Sequence, residues 1–218
     1  MPRTDIAAAY DARAEEYINL LGSVEQMAQV DRATILGWRD SVAGRILDAG
    51  CGPGHWTEVL CDGGRRDVVA LDASPAFLAS ARGRFARPGF VVGDLSALPF
   101  ATGSMGGVLA WFSVIHTDPV DLEAQLREIA RLLAPGGSLL LGFFDGAPRT
   151  PFDHAVTTAY YWSAEALGDL LAPLGLSVEH EESRQDPGVR RYGHLVARAS
   201  RANPSLERDE PIIRRQVP

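Results

Sequence analysis

Asp48-Ala49-Gly50-Cys51-Gly52-Pro53-Gly54 places a carboxylate and three alternating glycines between a short apolar run, Ile46 to Ala49, and a helical pattern that starts near His55. A strand, a glycine turn and a helix start, in that order, let a backbone approach a bound ligand closely, because glycine has no Cβ to obstruct it and tolerates the turn's conformation. The dinucleotide fingerprint G-x-G-x-x-G would need its third glycine at position 55, which is His55. Asp48 argues the same way: a carboxylate just before the turn repels a pyrophosphate and suits a cation.

Composition removes several other chemistries. The 218 residues suffice for one domain with a sizeable core. All 21 basic residues are arginine, so there is no P-loop lysine, no Schiff-base lysine for pyridoxal phosphate and no kinase strand lysine. Two cysteines, Cys51 and Cys61, give neither a disulfide framework nor a zinc quartet, and no metal is expected. The net charge of -7 argues against nucleic acid as substrate. Arg184, Arg190, Arg191, Arg198 and Arg201 gather positive charge late in the chain, and read better as a solvated strand face than as a phosphate site. No apolar run reaches the roughly 20 residues of a membrane span. The start, M-P-R-T-D-I, lacks the order of a signal peptide, so a cytoplasmic location is expected.

The elements that must carry the glycine turn follow from periodicity. Residues 4–38 read as two helices, the first with Ile6, Ala9, Tyr10, Ala14, Tyr17 and Ile18 at helical spacing. Gly22 ends it, and Ser23 with Gln26 forms an S-x-x-Q box for the second. From residue 44, strands alternate with helices. Strands are expected at 46–49, 67–71, 90–92, 106–114, 138–144, 176–180 and 192–199. Helices are expected to start at His55, at Ser74-Pro75, at Asp118-Pro119 and at Ser163, with serine or aspartate as cap and proline in the first turn of the middle two. Ala134-Pro135-Gly136-Gly137 should separate a helix from the fifth strand, and 145–162 is less regular. The pattern predicts an α/β, doubly wound, mostly parallel sheet of seven strands with helices on both faces. It divides as an N-terminal helical lid over 1–43, a catalytic domain over 44–199 and a mobile tail over 200–218.

The spacing D-x-G-x-G-x-G resembles motif I of the class I S-adenosylmethionine-dependent methyltransferases. The likeness extends through V-V-A-L-D at the second strand's end, V-V-G-D-L at the third's, and L-R-E-I-A-R-L-L-A-P-G-G-S-L-L-L, which looks like the family's helix, turn and fifth strand. It is nearest to the small-molecule methyltransferases of bacterial quinone and secondary metabolism. The resemblance implies a Rossmann-like fold and S-adenosylmethionine (SAM) as cofactor, with S-adenosylhomocysteine (SAH) as product. It also implies roles. Gly50, Gly52 and Gly54 pass under the methionine part, whose ammonium suits Asp48. Asp72, with Ala73 beside it, takes the ribose hydroxyls, and Asp94 with Leu95 meets the adenine. Tyr10 and Tyr17 match a Y-D-x-x-A-x-x-Y lead-in whose tyrosines reach the cofactor's carboxylate, and Trp111 lines the cofactor.

Methyl transfer from a sulfonium is an in-line displacement activated by the cofactor, so the protein supplies alignment, dryness and, for an oxygen or nitrogen nucleophile, a base. His116 lies just past the fourth strand, and histidine accepts a proton near neutral pH, so it is the expected general base, with His55 and His154 as weaker rivals. W-F-S-V-I-H at that strand's end lacks the N-P-P-Y loop of adenine methyltransferases and the Pro-Cys of cytosine ones, which leaves a small-molecule acceptor. About half of Phe112, Phe143, Phe144, Tyr160, Tyr161 and Trp162 should line its pocket. A homodimer is the assembly to test. The competing functions are a methyltransferase-like binding protein without turnover and an NAD-dependent oxidoreductase.

Overall fold

The structure, a computed structural model, describes residues 3–201, apart from the side chains of residues 3–5 and 21; the expected tail falls almost wholly outside the described residues. Strands β1 (Ile46–Ala49), β2 (Val68–Asp72), β3 (Gly89–Val92), β4 (Met105–Trp111), β5 (Leu133–Phe144), β8 (Leu176–Arg184) and β9 (Tyr192–Ala199) form one sheet, in the order β3-β2-β1-β4-β5-β9-β8. The pairings from β3 to β5 are parallel, and β9 runs antiparallel to both β5 and β8. The order reverses between β1 and β4, which opens a crevice at their carboxyl ends, where open α/β sheets bind ligands. A separate hairpin, β6 (Pro151–Asp153) with β7 (Thr158–Tyr160), lies in the stretch expected to be irregular.

Strand alternation sends apolar side chains to both faces, so both must be covered. Leu47, Leu71, Val108, Leu139 and Leu141 pack with α6 (Leu122–Leu132) and α7 (Ala164–Leu171). Ile46, Val68, Leu109 and Leu140 pack with Ile35 and Trp38 of α3 (Gln29–Ser41) and with Trp56 and Leu60 of α4 (His55–Cys61). Trp38 also donates from its indole to Ser138 Oγ at 3.0 Å. The 1–43 lead-in thus divides between the crevice and the core. Helices α1 (Arg3–Ala12) and α2 (Ala14–Leu21) flank the crevice, while α3 buries its apolar side on the sheet.

Three boundaries differ from expectation. The Ser23–Gln26 box, with Ser23 N–H donating to Gln26 Oε1 at 2.9 Å, caps a single 3₁₀ turn, and α3 starts only at Gln29. Asp118 accepts at its carboxylate from Val120 N–H and at its carbonyl from Asp121 N–H, closing a turn of its own, so α6 begins at Leu122. Ala134 to Gly137 does not separate helix from strand. It forms an irregularity within β5, whose partner shifts from Met105↔Leu133 to Gly107↔Ser138, with Gly136 at φ +76°.

The glycine turn joins β1 to α4. Gly54 occupies φ +84°, and a Cβ there would lie 3.0 Å from Ala81 Cβ of α5 (Pro75–Arg84). Gly54→Ala should destabilise the fold by about 1–3 kcal/mol, measured by urea unfolding; an unchanged midpoint would contradict this packing. Asp48 is 2 % exposed and accepts from Thr57 Oγ1 at 2.6 Å. Burial raises its pKa from 3.8 to about 7, against the opposing Thr57 bond. The folded state thus holds the proton over a range where the unfolded chain has lost it, and stability falls as pH rises from about 4 to about 7. Asp48→Asn keeps an acceptor for Thr57 and removes the charge. Its stability should match the wild type near pH 4 and exceed it by on the order of 2–4 kcal/mol at pH 8; parallel stability–pH curves would show Asp48 titrating normally.

Candidate active site

The crevice between β1 and β4 opens into a cavity of about 800 Å³, toward the upper end of the roughly 300–1,000 Å³ of small-molecule sites. Of the residues expected in the site, Tyr10, Tyr17, Gly50, Gly52, Asp72, Ala73, Asp94, Leu95, Trp111 and His116 all line it. Asp48 and Gly54 do not. Asp48 is turned to Thr57 beneath the turn, and Gly54 faces α5, so each shapes the turn from behind.

The two glycines on the cavity side have distinct reasons to be glycine. Gly50, at φ +78°, would put a Cβ 2.3 Å from Ser113 Cβ. Gly52, at φ +53°, would meet nothing within 4 Å, so it leaves room that a ligand can use. Asp72 at the tip of β2 accepts from Gly52 N–H at 2.7 Å through Oδ2 and from Ser74 N–H at 2.8 Å through Oδ1. Burial raises its pKa and these backbone bonds pull the other way. Ser74 caps α5 by accepting from Phe77 N–H at 3.1 Å, and its hydroxyl bonds Asp11 of α1. Asp94 at the end of β3 accepts from Ser96 N–H and Ser96 Oγ, both at 2.8 Å, which fixes its turn.

Buried polar atoms identify what the cavity expects. Both ring nitrogens of His55 and the hydroxyl of Ser113 are buried without a hydrogen-bond partner, and both residues line the cavity. Such atoms call for a ligand or ordered water. Burial lowers the His55 pKa to about 4, so its imidazole is neutral at pH 7 and offers one donor and one acceptor. The open space at Gly52, the acidic strand ends and these atoms together fit a polar, cationic, nucleoside-sized ligand.

His116 Nδ1 lies 2.8 Å from the Thr158 carbonyl, and its Nε2 lies 2.8 Å from the Tyr10 hydroxyl. A carbonyl only accepts, so Nδ1 carries the proton and Nε2 accepts from Tyr10. Burial holds the His116 pKa below the usual range, partly offset by the Thr158 bond. The residue therefore joins the end of β4 to both α1 and the β6–β7 hairpin.

Beyond His116 the cavity becomes aromatic. Phe112 adopts φ +55°, unusual for a bulky residue, and packs against Trp111, Phe144 and Tyr192 at ring distances of 5.4, 5.2 and 5.9 Å. Of the six aromatics named from sequence, only Phe112 and Phe144 line the cavity. Phe143 and Trp162 are 1 % exposed in the core, Tyr160 packs against that core, and Tyr161 stacks on Phe152. The sequence reading missed Tyr192 and Arg190. They reach the cavity because β9 is antiparallel, so that its first residues pair beside the carboxyl end of β5, Tyr192 opposite Phe144.

Known proteins agree with this architecture. The methyltransferase domain family matches residues 46–137. Demethylmenaquinone methyltransferases of Beutenbergia cavernae and Renibacterium salmoninarum are each 33 % identical, over 68 % and 73 % of this chain and 62 % and 67 % of their own. The malonyl-[acyl-carrier protein] O-methyltransferase of Serratia marcescens is 33 % identical over 59 % of this chain and 51 % of its own length. The match thus spans between half and two thirds of these relatives. Among solved structures, the 1,6-didemethyltoxoflavin-N1-methyltransferase of Burkholderia thailandensis, holding its acceptor and SAH, superimposes with TM-score 0.71 at 21 % identity over 92 % of this chain and 91 % of its own. The [4+2]-cyclase SpnF does so with TM-score 0.75 at 19 % identity over 91 % and 97 %. The sheet order, the glycine turn with its strand-end carboxylates and the extended match to a 33 % identical relative together show that the chain belongs to the class I S-adenosylmethionine-dependent methyltransferases.

Proposed function

We propose that this protein binds SAM across the glycine turn and transfers its methyl group to an oxygen or nitrogen of a small, largely apolar acceptor, releasing SAH. The observation that carries the reading is the division of one cavity into two halves. The polar half holds Gly50, Gly52, Asp72 and Asp94, and the aromatic half holds Phe112, Phe144 and Tyr192. The cofactor's sulfonium would lie where the halves meet, with its methyl toward the aromatic half. Tyr10 and Tyr17 of the lid helices would close over the methionine end and exclude water. SAM supplies the activated methyl group; the chain's own residues align the acceptor and manage its proton.

The cyclase among the structural neighbours is a reminder that this fold carries more than one chemistry, so a binding protein without turnover is the second reading. NAD-dependent oxidation is disfavoured by His55 at the third fingerprint position and by the acidic strand end beside the turn. Thermal shift with SAH and with NAD separates these readings first. SAH should stabilise the protein and NAD should not; the reverse would replace the proposal. Formation of SAH from SAM with a panel of hydroxylated and amino aromatic acceptors then separates an enzyme from a binder.

For the proton, His116 has the tautomer of a base, with the Nε2 lone pair held toward Tyr10. An acceptor that donates to the Tyr10 hydroxyl can pass its proton on while Tyr10 gives its own to Nε2. His116→Gln offers a carbonyl to Tyr10 and an amide N–H to Thr158 but cannot take up a proton. Turnover should fall roughly 10²–10⁴-fold with SAH affinity little changed. Turnover within a few-fold of wild type would reduce His116 to a pin between lid and hairpin.

A further inference from the structure

We propose that His180, Glu182 and His194 form a binding site for a divalent transition-metal ion on the outer edge of the sheet. His180 and Glu182 are two residues apart in β8 and so point to the same side. Glu182 is directly opposite His194 in β9. One ligand atom from each of the three lies within 4.8 Å of the other two. Bonds of about 2.0–2.2 Å to one ion set ligand atoms about 3.3–3.6 Å apart, so the side chains would close that triangle by up to about an ångström through rotamer changes of the exposed His180 and Glu182.

Among the described residues, no hydrogen bond or salt bridge engages these side chains, although Glu182 and Arg184 act on His194 electrostatically with opposite sign. His194 stacks at 5.7 Å from His180 and at 6.0 Å from Trp111. The nearest cation on the same face, Arg184, is committed elsewhere. It bonds Asp31 at 2.7 Å and lies over the Tyr192 ring at 4.6 Å. His194 is buried and held by Trp111, whereas His180 and Glu182 are exposed, so an ion can enter from solvent onto one fixed ligand. Charge on an edge strand commonly serves only to block aggregation, and that accounts for Glu181, while Glu179 pairs with Arg198 at 2.8 Å. It does not account for two imidazoles converging on a carboxylate. Two nitrogens and one oxygen suit zinc, cobalt, nickel or copper, and not magnesium or calcium. The ion would clamp β8 to β9 and lie behind Trp111, on the far side of that ring's contact with His194. It takes no part in methyl transfer.

The test uses the full chain without a histidine tag, stripped by chelator. Cobalt is followed by visible absorption and zinc by calorimetry. One equivalent of cobalt should bind with ligand-field bands, and zinc should raise the melting temperature. His180→Ala and Glu182→Gln alter only exposed groups; each should keep the metal-free melting temperature, weaken cobalt binding by at least roughly tenfold and abolish the zinc-induced shift. Absence of cobalt bands at large excess, or binding that persists unchanged in the double variant, would overturn the site. Neither result depends on SAM, so the proposal stands or falls separately from the methyltransferase reading.

Discussion

The architecture of the candidate site depends on the Asp72 carboxylate. One oxygen holds Gly52 N–H and the other holds Ser74 N–H, so a single half-buried side chain joins the glycine turn after β1 to the loop that starts α5. Ser74 then passes the connection to Asp11, which also accepts from Ala76 N–H at 3.2 Å, and so to the lid helix α1. Glycine turn, helix start and α1 share one anchor. That anchor is maintained against a desolvation cost, since burial alone would favour the neutral acid; the backbone donors offset it. Asp48 has one hydroxyl as its donor, and burial raises its pKa to about 7. The carboxyls of Asp72 and Asp94 on the cavity wall favour a cation there, which a sulfonium and an ammonium would supply and a pyrophosphate would not.

The catalytic demands that follow are small. A methyl sulfonium is already activated, so the cavity needs a cation-tolerant pole, an apolar chamber and a path for one proton. On the proposed reading these would be met by the acidic strand ends, the Phe112–Phe144–Tyr192 cluster, and the Tyr10–His116–Thr158 chain of hydrogen bonds. The same chain ties α1 to the β6–β7 hairpin through His116, so that breaking the Tyr10 bond would loosen α1 and free the Nε2 lone pair together.

Much of this was legible in the sequence, and the exceptions have physical causes. Strands buried on both faces read as continuous apolar runs, and motif spacing located β1, the turn and the carboxyl ends of β2 and β3. What failed was anything set by tertiary pairing. Asp118-Pro119 has the composition of a helix start, but its carboxylate and carbonyl are used in a tighter turn. The order of Phe143, Phe144, Tyr160, Tyr161 and Trp162 along the chain does not reveal which face each takes, and four of these five point away from the cavity. Tyr192 and Arg190 enter only through the antiparallel β5–β9 register, some 50 residues from the nearest motif. The converging His180, Glu182 and His194 likewise exist only once β8 and β9 are paired.

The central claim is that Asp72, besides clamping the turn, grips the cofactor's ribose. A thermodynamic cycle tests this without confusing the two roles. Calorimetry would compare SAH with its 2′,3′-dideoxy analogue on wild-type protein and on Asp72→Ala. Removing the hydroxyls should cost the wild type about 2–3 kcal/mol, or one to two orders of magnitude in affinity, and should cost the variant almost nothing. Equal losses on both proteins would mean that Asp72 only supports the turn and that the ribose is held by something else.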